Sequence, residues 1–243
     1  MDRAFRETYA SRDITPDTSF EGKTIPTLSD LQSVLDTMTG AESVARRLEK
    51  FTRGRFSGFF NQQTNVELGK KLIVFNIRDM EEELRPSAVY IIVNFIWKRI
   101  RLELKKRLLF IDEAWWLLQF DESAAFLLSI AKRARKYYLG LTTITQDVAD
   151  FTKSRFGEPI LTNSSLQMLF KQSPTNIDET KRVFGLTEAE KNLLLETNVG
   201  QGLFFAGTKH VSIQVEASYS ENQIITSDPE EILKIRAAKK ELE

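Results

Sequence analysis

An α/β fold, with a mostly parallel sheet flanked by helices and joined to a small helical subdomain, is what these 243 residues predict. Three observations carry that prediction. Short apolar runs recur at 71–77 (KLIVFNI), 107–112 (RLLFID) and 140–146 (GLTTITQ), as in strands covered on both faces. Stretches of helical character separate them, as crossovers between parallel strands require. The residues up to about 60 are instead polar and helix-prone.

In chain order, TLSDLQSVLDTMTG and AESVARRLEKFTRG carry apolar residues at helical spacing. Thr27 or Ser29 is placed to cap the first, and Gly40 and Gly54 sit where helices end. These make a helical subdomain over 1–62, with the α/β core over 63–243. KLIVFNI is the first expected strand, and Pro86 opens a helix running to about Glu103. RLLFID is the second strand, followed by a helix with an acidic start near Asp121 that continues to Tyr138. GLTTITQ is the third. A loop holding Pro159 and Asn163 leads to a fourth strand, SLQMLFKQ, over 165–172. TNIDETKRVFGL and TEAEKNLLLET read as two short helices, the second opened by a Thr187/Glu190 capping box. GQGLFFAGTKHVSIQVEAS alternates like a strand pair turning near Ala206–Lys209. A charged helix with a thin apolar stripe closes the chain.

Composition removes several function classes. Without cysteine there is no disulfide framework, thiolate metal site or cysteine nucleophile, and a single histidine, His210, builds no histidine metal cluster. Thirty-four basic residues balance thirty-four acidic ones, so any polyanion contact must be local. The N-terminus lacks the apolar core of a signal peptide, and AVYIIVNFIW (88–97) is too short to span a bilayer. A cytoplasmic location is expected.

A P-loop requires G-x-x-x-x-G-K-[ST] between a buried strand and a helix, so that backbone N–H groups wrap the phosphates. DTSFEGKT (17–24) ends in Gly-Lys-Thr, but Asp17 stands where the first glycine belongs, a polar segment precedes it and Pro26 follows. It reads as a turn of the helical subdomain, with Lys23 dispensable for nucleotide.

The chemistry concentrates instead in RLLFIDEAWWLL. Ligands gather beyond the carboxyl ends of parallel strands, where Asp112 can hold a hydrated Mg²⁺ that bridges nucleotide phosphates. The adjacent Glu113 can orient and deprotonate the attacking water. The competing reading is that Asp-Glu merely caps the next element. Gln146, at the carboxyl end of the next strand, is placed to hydrogen-bond a γ-phosphate or the lytic water, or is simply solvated. Arg133 and Arg135 in AKRARKYYLG are either a solvated helix end or hold an arginine finger acting on a neighbouring subunit's nucleotide; at most one of them is well placed for that, and the sequence does not choose between Arg133 and Arg135. Lys105-Lys106-Arg107 solubilises a strand edge or touches a polyanion. Trp115 and Trp116 are core, interface or base-stacking residues. His210 reads as exposed or satisfied.

Together FIDEAWWLL, RARKYYLGLTTITQD and GQGLFFAGTKHVSIQVEASYSE resemble the C-terminal half of the CagE/TrbE-type conjugal transfer ATPases of type IV secretion systems, which are related to the HerA and FtsK motors. The resemblance implies a RecA-like core and ATP and Mg²⁺ as cofactors. Asp112 and Glu113 match a Walker B-type acidic pair, Gln146 the polar sensor, and Arg133 or Arg135 the basic segment of the motors. It further implies substrate transfer or pilus assembly at the cytoplasmic face of the inner membrane, with other secretion-system subunits, a homo-oligomer when complete, and DNA as a candidate partner. The family's phosphate-binding loop and its strand have no counterpart here. The chain therefore reads as a fragment, truncation or piece of a split protein with weak ATPase activity of its own. The alternatives are a HerA/FtsK-like DNA pump and a nucleotide-free module docking on a secretion complex.

Overall fold

Parallel pairing is confined to two strands in the computed structural model, which describes the chain except Ser19, Glu67, Leu68, Arg78, residues 241–243 and the side chains of Lys239 and Lys240. The fold divides into two units, Met1–Val74 and Phe75–Glu243.

The first unit is helical: α1 (Asp2–Ala10), α2 (Leu28–Asp36), α3 (Glu42–Thr52) and the short α4 (Ser57–Phe60). Ala4, Leu31, Leu35 and Ala45 form its core, one or two residues from each of the three longer helices. Thr27 caps α2 through a capping box, its backbone N–H donating to Asp30 Oδ2 at 2.7 Å. Asn61 Oδ1 takes the N–H of Ser29 at 2.9 Å, satisfying a second donor of that helix start.

In the second unit, α5 (Arg85–Leu102) opens with Pro86 in its first turn and buries Ala88, Val93, Trp97 and Ile100, one stripe at helical spacing. Then follow β1 (Arg107–Ile111), α6 (Trp115–Leu118) and α7 (Asp121–Arg133), a 3₁₀ turn over Ala134–Tyr137, and β2 (Leu139–Thr143). β1 and β2 pair in parallel from Arg107↔Leu139 to Ile111↔Thr143. Period-2 alternation sends Leu109, Ile111 and Leu141 onto a core shared with α5, α6 and α7. The alternate residues face outward, leaving Leu108 73% and Phe110 61% exposed.

Two further helices, α8 (Ala149–Thr152) and α9 (Gly157–Asn163), replace the loop expected around Pro159. Pro159 lies in the first turn of α9, where a missing N–H costs no helical bond.

β3 (Leu166–Leu169), α10 (Ile177–Phe184), α11 (Glu188–Glu196), β4 (Gln201–Ala206) and β5 (Lys209–Gln214) make a separate antiparallel sheet of order β3-β4-β5 with two helices packed on it. Leu169, Leu203 and Phe205 meet Ile177, Leu186 and Leu194 in its core. Gly202 is required there, since a Cβ would stand 2.2 Å from the Leu169 carbonyl oxygen. α12 (Tyr219–Ile225) and α13 (Pro229–Lys240) follow; the end of the expected terminal helix, 241–243, lies outside the described residues.

Two expected strands need correction. KLIVFNI forms none: no strand lies beside it among the described residues, and Leu72 and Val74 are 82% and 76% exposed. A strand persists only where a neighbour takes its N–H and C=O groups, and apolar continuity does not supply that neighbour. SLQMLFKQ does hold a strand, β3, but it runs antiparallel to β4, far along the sequence, rather than joining the parallel pair.

Candidate functional site

The chain leaves β1 through Asp112 and reverses at Glu113, whose φ of 50° is a left-handed conformation uncommon for a residue with a side chain. Such a backbone costs about 1–3 kcal/mol and persists where surrounding contacts impose it. Here they do: Ile144 N–H donates to the Ile111 carbonyl at 2.9 Å, and Ala114 N–H to the Ile144 carbonyl at 2.9 Å. The exits of both strands are thereby tied together on either side of Glu113.

This turn brings the acidic pair and the glutamine to one place. Gln146 Nε2 donates to Glu113 Oε1 at 2.7 Å, and Trp115 Nε1 donates to Glu113 Oε2 at 2.7 Å. Both carboxylate oxygens therefore accept one hydrogen bond and keep a free lone pair. Asp112 is exposed, and its Oδ1 accepts the Glu113 N–H at 3.0 Å.

Beyond Gln146, Asp147 Oδ1 takes the Ala149 N–H at 2.8 Å while its Oδ2 takes Asn176 Nδ2 at 2.6 Å. Thr152 Oγ1 donates to Glu179 of α10, and Thr145 Oγ1 donates to Asp150 at 2.6 Å. The loop that carries Gln146 is thus pinned to the antiparallel half of the unit.

Arg133 ends α7 and Arg135 lies in the 3₁₀ turn, both exposed at the amino end of β2. The length of that strand, on the order of 15 Å, separates them from the cluster at its carboxyl end. Lys23 lies in the first unit, in a loop with no strand before it among the described residues, and its ammonium donates to the Asp13 carbonyl. His210 Nε2 lies 2.5 Å from Glu190 Oε1 and its ring packs 4.7 Å from that of Phe205, which answers the histidine without a ligand.

Trp115 is the residue that sequence reasoning did not place in the site. Its indole stacks on Trp116 with centroids 4.2 Å apart, and the Arg85 guanidinium lies 5.6 Å from the Trp116 ring centre. The available signal was an aromatic donor two residues after Glu113; the left-handed turn that folds it back was not visible.

No group of three or more potential metal ligands exists among the described residues, so a tightly caged metal does not fit. A hydrated Mg²⁺ does, because that ion needs only one or two carboxylates besides water and phosphate oxygens, and the exposed Asp112 offers one.

The TraG P-loop domain model matches residues 33–241. The chain belongs to this family. The match begins after EGKT, so the Gly-Lys-Thr at 22–24 lies outside it. The type IV secretion protein VirB4 of Bartonella henselae is 29% identical over 171 residues, 69% of this chain and 21% of that protein. Its counterpart in Bartonella quintana is 28% identical over the same share of each chain. The solved VirB4 of Thermoanaerobacter pseudethanolicus superposes with a TM-score of 0.78 at 29% identity, covering 90% of this chain and 63% of that one. The resemblance to type IV secretion ATPases and the α/β fold class are both borne out. This is a VirB4-like domain of the P-loop NTPase class, and it spans about a fifth of the length of the curated relatives it matches. No helix among the described residues is long and apolar enough to cross a membrane.

Proposed function

We propose that this domain carries the hydrolytic half of an ATP site in a type IV secretion motor. The observation that supports it best is the 2.7 Å hydrogen bond between Gln146 and Glu113, which joins the ends of two parallel strands where P-loop proteins process phosphates. Asp112 would hold a hydrated Mg²⁺, which when bound supplies neutralising charge to the nucleotide phosphates. Glu113 offers the free lone pair of a carboxylate oxygen to a water proton, leaving the water oxygen to attack the γ-phosphorus as its bond to the β,γ-bridging oxygen breaks and ADP leaves. Gln146 turns its amide from Glu113 to the γ-phosphate or to that water. Arg133 or Arg135, remote from this cluster in their own chain, serve a neighbouring subunit's nucleotide in a homo-oligomer. Coupling to substrate transfer or pilus assembly through other secretion-system subunits, at the cytoplasmic face of the inner membrane, belongs to the same reading.

These 243 residues contain no G-x-x-x-x-G-K-[ST] run, so the backbone cradle and lysine that provide most phosphate affinity are not among them, and hydrolysis by the chain alone is proposed to be slow. The test is calorimetric titration with Mg²⁺ and a non-hydrolysable ATP analogue, using wild type, Asp112→Asn and Lys23→Ala. Weak binding, weakened further by Asp112→Asn and untouched by Lys23→Ala, is expected. Binding that disappears with Lys23→Ala would place the phosphates in the helical unit and overturn the assignment.

A further inference from the structure

We propose that Trp115 is the positioning residue for Glu113, holding the carboxylate through its indole N–H while Gln146 acts as the donor that leaves. The inference rests on the hydrolytic role given to Glu113 above.

Two donors hold the carboxylate, and they differ in what fixes them. Gln146 is exposed on a loop, and its flexible side chain reaches Glu113 from beyond the end of the neighbouring strand. Trp115 is part of the same turn as Glu113 and half-buried, with a side chain of only two rotatable bonds. One face of its indole is covered by Trp116, stacked at 4.2 Å and 26°. Trp116 is steadied in turn: its backbone N–H donates to the Glu113 carbonyl at 3.1 Å, which fixes the turn, and the Arg85 guanidinium beside its ring is anchored to the Met80 carbonyl at 2.8 Å. The next residues, Leu117 and Leu118, are buried in the main core. The indole N–H is therefore aimed by packing, and Glu113 Oε2 is where it points.

The left-handed turn at Glu113 belongs to the same device. With φ at 50° the chain doubles back, so that the side chain two residues later meets the carboxylate rather than passing it. A general base must be held within hydrogen-bond reach of its water, and a neighbour that locks its rotamer provides that reach. When Gln146 turns to the phosphate or the water, Oε1 becomes available for the proton while Oε2 stays on Trp115. The carboxylate then keeps its place as its bonding changes.

The test compares Trp115→Phe, Trp116→Phe and Glu113→Gln with the wild-type chain in single-turnover hydrolysis of radiolabelled Mg²⁺–ATP, with chain in excess so that slow rates are readable. The indole N–H resonances of ¹⁵N-labelled protein are recorded in parallel. Trp115→Phe keeps an aromatic ring and loses the donor. It is expected to lower the limiting rate about tenfold without changing the half-saturating concentration, the pattern of an interaction used in the transition state. Trp116→Phe removes comparable packing and is expected to stay within about twofold of wild type. The Trp115 indole resonance, identified by its loss in Trp115→Phe, is expected to shift in Glu113→Gln.

A Trp115→Phe rate equal to wild type, or a raised half-saturating concentration at unchanged rate, overturns the positioning role. Equal losses in the two tryptophan variants reduce it to packing and overturn it as well. A Glu113→Gln chain that hydrolyses as wild type does, or a wild-type chain that hydrolyses nothing, removes the reaction that Glu113 is positioned for. That outcome condemns the hydrolytic reading, while an indole resonance that ignores Glu113→Gln condemns the hydrogen bond by itself.

Discussion

Among the described residues, three with side chains hold a left-handed backbone, Asp13, Glu113 and Tyr138, and Glu113 is the one with a functional argument for the cost. Tyr138 follows the 3₁₀ turn at φ 53°, is mostly exposed, and contributes through its backbone carbonyl, which accepts the Arg107 N–H at 3.1 Å. Glycine adopts this conformation without the clash between Cβ and carbonyl oxygen. Tyr138→Gly is therefore expected to raise stability by up to about 1 kcal/mol in denaturant unfolding, despite the entropy that glycine adds to the unfolded chain. At this scale the sequence was informative where chemistry follows chain order: Asp112, Glu113 and Gln146 each sit just beyond an apolar run. Trp115 was not legible, because its meeting with Glu113 depends on a backbone angle that no residue type announces.

Capping signals transferred well to elements, because a cap is a contact between residues three apart. Thr187 and Glu190 form the expected box, with the Thr187 N–H donating to Glu190 Oε2 at 2.8 Å. Thr187→Ala is expected to cost about 1 kcal/mol, measured by thermal or denaturant unfolding. The Thr187 N–H above all, then its hydroxyl and His210, hold the Glu190 carboxyl below the ordinary carboxylate range, with partial burial opposing them. A carboxyl with a depressed pKa in the folded state gives stability that is complete above its unfolded pKa. That stability fades as pH falls through the lower folded value. The stability gap between wild type and Glu190→Gln is accordingly expected to be full at neutral pH and to narrow below about pH 4. Strand pairing was less legible. RLLFID, GLTTITQ and SLQMLFKQ all contain strands, yet nothing local in SLQMLFKQ says that its partner is β4, and nothing in KLIVFNI says that it forms no strand. Apolar runs report a preference for burial, whereas register and partner are decided by residues distant in sequence.

For the molecule as a whole, the two faces of the parallel pair have opposite fates. Leu127 of α7 is 0% exposed in the core beneath the sheet, while Leu108 on the outer face is 73% exposed. Leu127→Ala should lose about 2–5 kcal/mol of stability, and Leu108→Ala should remain within about 0.5 kcal/mol, both read by denaturant unfolding. The class of the fold was readable from alternating strands and helices, and the family from three motifs in a fixed order. The separation of the parallel pair from the antiparallel sheet was not readable, because both kinds of strand are written in the same apolar alphabet.

Whether Glu113, at the end of β1, is the base of a phosphate-processing site is decided by the Mg²⁺-dependent hydrolysis rate of the wild-type chain against Glu113→Gln. Wild type is expected to hydrolyse slowly and Glu113→Gln at least about a hundredfold more slowly, because the glutamine amide offers no carboxylate to take the water proton. An equal rate in the two proteins would contradict that role.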